Sequence, residues 1–164
     1  MKSTSLVILI LFLLVSCKKD PRYETRIVLF NSLDSTIHVD LYPKPEFCYQ
    51  GLYKASSIGS GYTEKSFSLP GSRSKYLYYS DNYSISAQGL LSQIFDSVSL
   101  SVSFDTTIKI KFNPNSFQHY TQNIFSSSSI WKFRSFDEDR KTMGTSEIIH
   151  VRQFEFSVKK DSIR

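Results

Sequence analysis

Apolar and polar residues alternate one for one in SVSLSVSF at 97–104, where Val98, Leu100, Val102 and Phe104 share one face and four serines the other. A period of two is the pattern of a strand with one face packed and one wet. TIKIKF at 107–112 repeats it, with Ile108, Ile110 and Phe112 set against Thr107, Lys109 and Lys111. With Asp105-Thr106 as the tight connection, the two segments predict a half-buried antiparallel hairpin. Nearer the start, RIVLFN at 26–31 is an almost continuous apolar strand, and STIHVDLY at 35–42 places Ile37, Val39 and Leu41 on one face. Asn31-Ser32-Leu33-Asp34 between them has the composition of a hairpin turn, and Pro43 and Pro45 then end pairing.

Further strands are predicted near 47–54, 64–69, 75–80 and 130–136, with a last one over 147–158. In that last segment the apolar phase shifts from Ile149 and Val151 to Phe154, Phe156 and Val158, which predicts a bulge at Arg152-Gln153. Only AQGLLSQIF at 87–95 has helical spacing, and its length and Gly89 restrict it to about two turns bridging two sheets. The irregular stretches at 43–60 and 113–129 suit large end loops better than the short turns of a closed barrel. The pattern therefore predicts an all-β fold over residues 26–160. It is an antiparallel β-sandwich of seven or eight strands with one short helical crossover, preceded by a signal peptide.

The start of the chain follows a different rule. Lys2 precedes ten unbroken apolar residues, Leu6 to Val15, which as a helix rise only about 15 Å, half of a hydrocarbon core. A charged start and a short apolar core are the marks of a secretory signal. Leu14-Val15-Ser16-Cys17 follows at once and resembles the bacterial lipobox, in which an aliphatic residue and one or two small residues precede an obligatory cysteine. The resemblance implies that residues 1–16 are cleaved as a lipoprotein signal peptide. Cys17 is then diacylated on sulfur and acylated on its new amino group, and residues 17–25 form the acylated cysteine and tether. Three acyl chains, at about 0.8 kcal/mol per buried CH₂, make such an attachment effectively permanent. Lys18-Lys19-Asp20 has no aspartate directly after the cysteine, the position that retains enteric lipoproteins in the inner membrane. Beyond the lipobox, NSLDSTIHV at 31–39 and FEFSV at 154–158 resemble the opening hairpin and closing aromatic strand of small lipoproteins of the Bacteroidota. That grouping implies a lipid-anchored protein of the outer membrane, on its periplasmic or cell-surface face, and no activity.

Charge and chemistry narrow the picture modestly. The formal net charge is +5, and Lys18, Lys19, Arg22 and Arg26 lie in or beside the tether, where they could rest on anionic headgroups. No long basic block with interleaved aromatics follows, so no nucleic-acid partner is expected. With Cys17 acylated, Cys48 has no partner in the chain and reads as a small buried hydrophobe between Phe47 and Tyr49. The chain has no G-x-S-x-G, HExxH, CxxC, Walker or dinucleotide-glycine motif. His38, His119 and His150 are far apart, and Asp137-Glu138-Asp139 reads as a solvated turn balanced by Arg134, Arg140 and Lys141. No catalytic residue, metal ligand or cofactor is assigned. The tyrosines of SKYLYYSDNY at 74–83 stand out for binding. With Leu77 and Tyr79 facing the core, Tyr76 and Tyr78 lie side by side on the other face as a platform for a glycan or a protein. The competing reading puts these rings in the core, as it does Trp131 and Phe133. The expected function is thus a non-catalytic binding or structural domain on a membrane anchor. The alternatives are a carbohydrate-binding accessory lipoprotein and an enzyme with an unrecognised site.

Overall fold

The computed structural model describes residues 22–45, 64–81, 86–102, 105–115, 122–126, 130–142 and 145–160, with backbone alone at 105–108, 142 and 145. Among these residues the chain forms β1 (Arg22–Asn31), β2 (Ile37–Pro43), β3 (Ser66–Leu69), β4 (Arg73–Ser80), α1 (Ala87–Ile94), β5 (Phe95–Val102), β6 (Asp105–Phe112), β7 (Trp131–Thr142) and β8 (Thr145–Val158). Two four-stranded sheets result, a first with order β4-β1-β8-β7 and a second with order β3-β2-β5-β6. The fold is an all-β sandwich with one short helix.

The core forms where the alternation predicts it. Ile37, Val39 and Leu41 of β2 lie opposite Val102, Leu100 and Val98 of β5, and Leu100 and Val98 in turn face Ile110 and Phe112 of β6. All are buried against Ile27, Leu29, Trp131, Phe154 and Phe156 of the first sheet. The Phe112 and Phe156 rings meet edge to face across the two sheets, with centroids 6.2 Å apart. Each such side chain contributes about 1.5–3 kcal/mol by leaving water, so a one-residue slip of β2 would forfeit several at once. Helix α1 starts at the Ser86 cap, whose hydroxyl accepts from the Gly89 N–H, buries Ala87, Leu91 and Ile94, and runs directly into β5. It links β4 of the first sheet to β5 of the second, as its spacing predicts.

Several expectations are corrected. Asn31–Asp34 is not a hairpin turn, because β1 and β2 belong to different sheets. The segment is a corner organised by the buried Asn31. Its Nδ2 donates to the carbonyls of Ser35 (2.7 Å) and Leu69 (3.0 Å), and its Oδ1 accepts from the Leu33 N–H. The connection from β3 to β4 makes a second corner against it. Gly71 sits so close that a Cβ there would stand 2.4 Å from the Leu33 carbonyl oxygen. A pair of strands (β1 with β4, then β2 with β3) thus bends from one sheet into the other at these stacked corners.

Asp105-Thr106 is not the tight connection of the hairpin but the start of β6, since Asp105 already pairs with Val102. Phe104 and the strand expected at 47–54 lie outside the described residues, as does the Ile108 side chain. Ser97 and Ser99 do not reach solvent. Both are buried because β5 is a central strand and their larger neighbours Tyr42, Asp40 and Lys111 flank them. In β8 no bulge interrupts the register at Arg152-Gln153. The strand instead changes which face it buries, with Ile149 and Val151 on the outer face and Phe154, Phe156 and Val158 on the inner one. Arg152 closes the inner face where the core ends, its guanidinium 4.9 Å from the Phe133 ring centroid. Finally, β1 begins at Arg22 inside the expected tether and runs parallel to β8, the one parallel pair among the described strands.

Candidate functional site

The outer face of the first sheet carries the densest chemistry. Arg22, Glu24 and Arg26 recur at a period of two along β1 and so share that face, while β8 adds Val151 and Gln153, and β7 adds Phe136 and Glu138 in register. Arg26 is 8% exposed. Its Nε donates to Glu24 Oε1 (2.5 Å) and its Nη2 to Glu138 Oε2, while Arg140 Nη2 reaches Glu24 Oε2 at 3.0 Å. Burial opposes the charge on Arg26, but the hydrogen bonds to Glu24 and Glu138 outweigh it and hold its pKa above the ordinary value. Arg22 pairs with Glu147 at 3.1 Å. Arg22 and Arg26 are therefore both engaged in ion pairs within the sheet.

The expected tyrosine platform is not formed. Ile27 lies opposite Tyr78 and Val28 opposite Tyr76, so Leu77 is the extra residue of a bulge in β4. The bulge turns two successive side chains inward. Leu77 and Tyr78 are both in the core, while Tyr76 remains 42% exposed. Tyr76 lies 5.7 Å from the Arg26 guanidinium and, with Val28, Ser74, Lys75 and Gln153, lines a cleft of about 390 Å³. Lys75 is held by Glu64 at 2.9 Å and by the Phe67 ring at 4.4 Å. Burial, and the charges of Glu24 and Asp81 after it, raise the Tyr79 phenol above its ordinary value. One ring, an engaged lysine and two neutral polar side chains can accept or donate hydrogen bonds to a flat ligand edge. Among the described residues that line the cleft, Tyr76 is the one ring.

The two described histidines each make one side-chain pair. His38 Nδ1 and Ser68 Oγ are 2.7 Å apart on the exposed face of the second sheet, and neither lines the cleft. His150 Nδ1 lies 2.6 Å from Asp137, with the Tyr23 ring 5.4 Å away. His119 lies outside the described residues, as do Cys17 and Cys48. Asp137-Glu138-Asp139 is part of strand β7 and not a turn, so alternation sends Glu138 to Arg26 on one face, and Asp137 to His150 and Asp139 to Ser146 on the other. Among the described residues no group of three or more His, Cys, Asp or Glu could hold a metal ion. No described helix is long and apolar enough to cross a membrane.

Two features of the first sheet depend on the fold more than on local sequence. The Arg22-Glu24-Arg26 alternation was a visible signal of one charged strand face, but its partners on β7 depend on the parallel β1–β8 pairing. Phe133, expected in the core, is 48% exposed because β7 is an edge strand. No family model, curated protein or solved structure matches the chain.

Proposed function

We propose that the protein is a lipid-anchored envelope protein, held at the outer membrane through Cys17, with a β-sandwich that serves a binding or structural role and not catalysis. The observation that carries this reading is the sequence LVSC placed directly after ten apolar residues. The start of β1 at Arg22 supports it, since it leaves four residues, and so five Cα-to-Cα steps, between an acylated Cys17 and a packed strand. Extended, that span reaches at most about 17 Å, so the sandwich sits close to the bilayer that holds it.

The test is acylation of the full chain in a bacterial host. The parent should incorporate labelled palmitate and fractionate with the outer membrane. Cys17→Ser should incorporate none and accumulate as a precursor heavier by the signal peptide. A serine variant that is still labelled and still processed would overturn the anchor.

A further inference from the structure

Strand β7 is an edge of the first sheet, hydrogen-bonded to β8 on one side and, among the described residues, to no strand on the other. It spans 12 residues, WKFRSFDEDRKT, and residues 132–137 are all exposed. Phe133 and Phe136, 48% and 40% exposed, project from opposite faces of its middle. Open edges of this length are normally blunted, and mixed charge is one way to do it. Here the charges fall in blocks. Lys132 and Arg134 come first, Asp137, Glu138 and Asp139 follow, and Arg140 and Lys141 close the strand. Lys132 and Arg134 make no ion pair among the described residues.

Over residues 132–139 a basic pair precedes an acidic triplet, and that stretch is the complement of itself run antiparallel. We infer that β7 is a self-association edge, pairing with β7 of a second copy about a two-fold axis at Ser135 to give one continuous eight-stranded sheet. The register follows from charge. A two-fold perpendicular to the sheet keeps residues of like parity opposite one another. Centred on Ser135, it sets Lys132 against Glu138 twice and Arg134 against Phe136 twice, with no like charges directly opposed. Centred one residue earlier, it sets Arg134 against its own copy. One residue later, it sets Lys132 against Arg140. Directly opposed like charges destabilise a sheet, so the Ser135 register is preferred over both neighbours. The small serine on the axis leaves room for the flanking phenylalanines to cover the junction. The inference does not depend on the lipid anchor.

Two differently tagged full-length copies, co-expressed and extracted in detergent, should co-purify. Lys132→Glu puts like charges opposite Glu138, and Glu138→Lys puts like charges opposite Lys132, so each variant opposes its own copy. Each variant alone should lose at least tenfold in self-capture, and the two co-expressed should recover it. Ser135→Cys in a Cys48→Ser background gives a readout independent of those substitutions. Opposed strand residues have Cα atoms about 4.5–5.5 Å apart, within disulfide reach, so mild oxidation should yield a covalent dimer. Lys141→Cys, far from the axis, should not. Wild-type copies that fail to co-purify, charge variants that pair as well as the parent, or a Ser135→Cys protein that stays monomeric on oxidation would each overturn the proposal.

Discussion

Tyr76 and Tyr78 are two residues apart on one strand, and simple alternation gives them the same environment. The bulge at Leu77 separates them, leaving Tyr76 at 42% exposure and Tyr78 at 5%. Their substitutions should therefore differ sharply. Tyr78→Ala removes a ring from the core and should cost about 3 kcal/mol or more in chemical denaturation. Tyr76→Ala loses an exposed ring and one cation–π contact with Arg26, and should cost about 1 kcal/mol or less. Equal losses would mean that the bulge lies elsewhere and that the rings share a face after all. Arg26 shows the same dependence on context. On sequence it is a basic residue near a tether, free for a membrane surface. In the fold it is buried between Glu24 and Glu138, so it joins β1 to β7 across the intervening β8.

Among the elements, legibility in the sequence follows how many faces a strand buries. Strands β2 and β6 were readable from Ile37, Val39 and Leu41 and from Ile110 and Phe112, because each has one wet face. In β8 burial passes from one face to the other, so its change of phase imitated a bulge. The corner after β1 resembles a hairpin turn in sequence for a related reason. Asn, Ser and Asp serve a hairpin turn and an inter-sheet corner equally well, and only the distant Leu69 carbonyl and Gly71 distinguish the two. Of the candidate site, the exposed Tyr76 was visible, whereas the ion-pair cluster needed the β1–β8 pairing to come into view. The stacked corners make a sharp prediction. Gly71→Ala places a methyl against the Leu33 and Asp34 backbone at 2.4–2.8 Å, which must move, and should cost about 2 kcal/mol or more. Gly89→Ala meets nothing closer than the Ser86 side chain at 3.7 Å and lies in α1, where alanine is the better helix former, so it should be neutral or mildly stabilising. Thermal melts of the two variants decide it. A Gly71→Ala protein as stable as the parent would mean that the two corners do not touch.

For the whole molecule, the path of the chain argues that the sheets cannot fold apart. It crosses between them at β1–β2, β3–β4, β4–β5 and β6–β7, so neither sheet is one continuous piece of sequence. The first sheet also pairs the first described strand with the last, Arg22 opposite Ile149 and Asn31 opposite Val158. Its inner face packs in one core with the second sheet, and leaving Phe156, Leu29 and Ile27 in water would cost about 1.5–3 kcal/mol each. Unfolding should then be a single transition. The chain has one tryptophan, Trp131, which lies in the first sheet with its ring centroid 5.5 Å from that of Phe156. Its fluorescence therefore reports the core of one sheet, while far-UV ellipticity reports both. Leu100 lies in the middle of the second sheet, paired with Val39 and Ile110. Leu100→Ala should destabilise the protein by about 2–5 kcal/mol. The Trp131 transition should move by the same amount as the ellipticity, although no bond of the first sheet has been altered. A Trp131 midpoint that stays in place while the ellipticity shifts would show two sheets melting separately, and with them the loss of the argument that these crossings bind the sandwich into one unit.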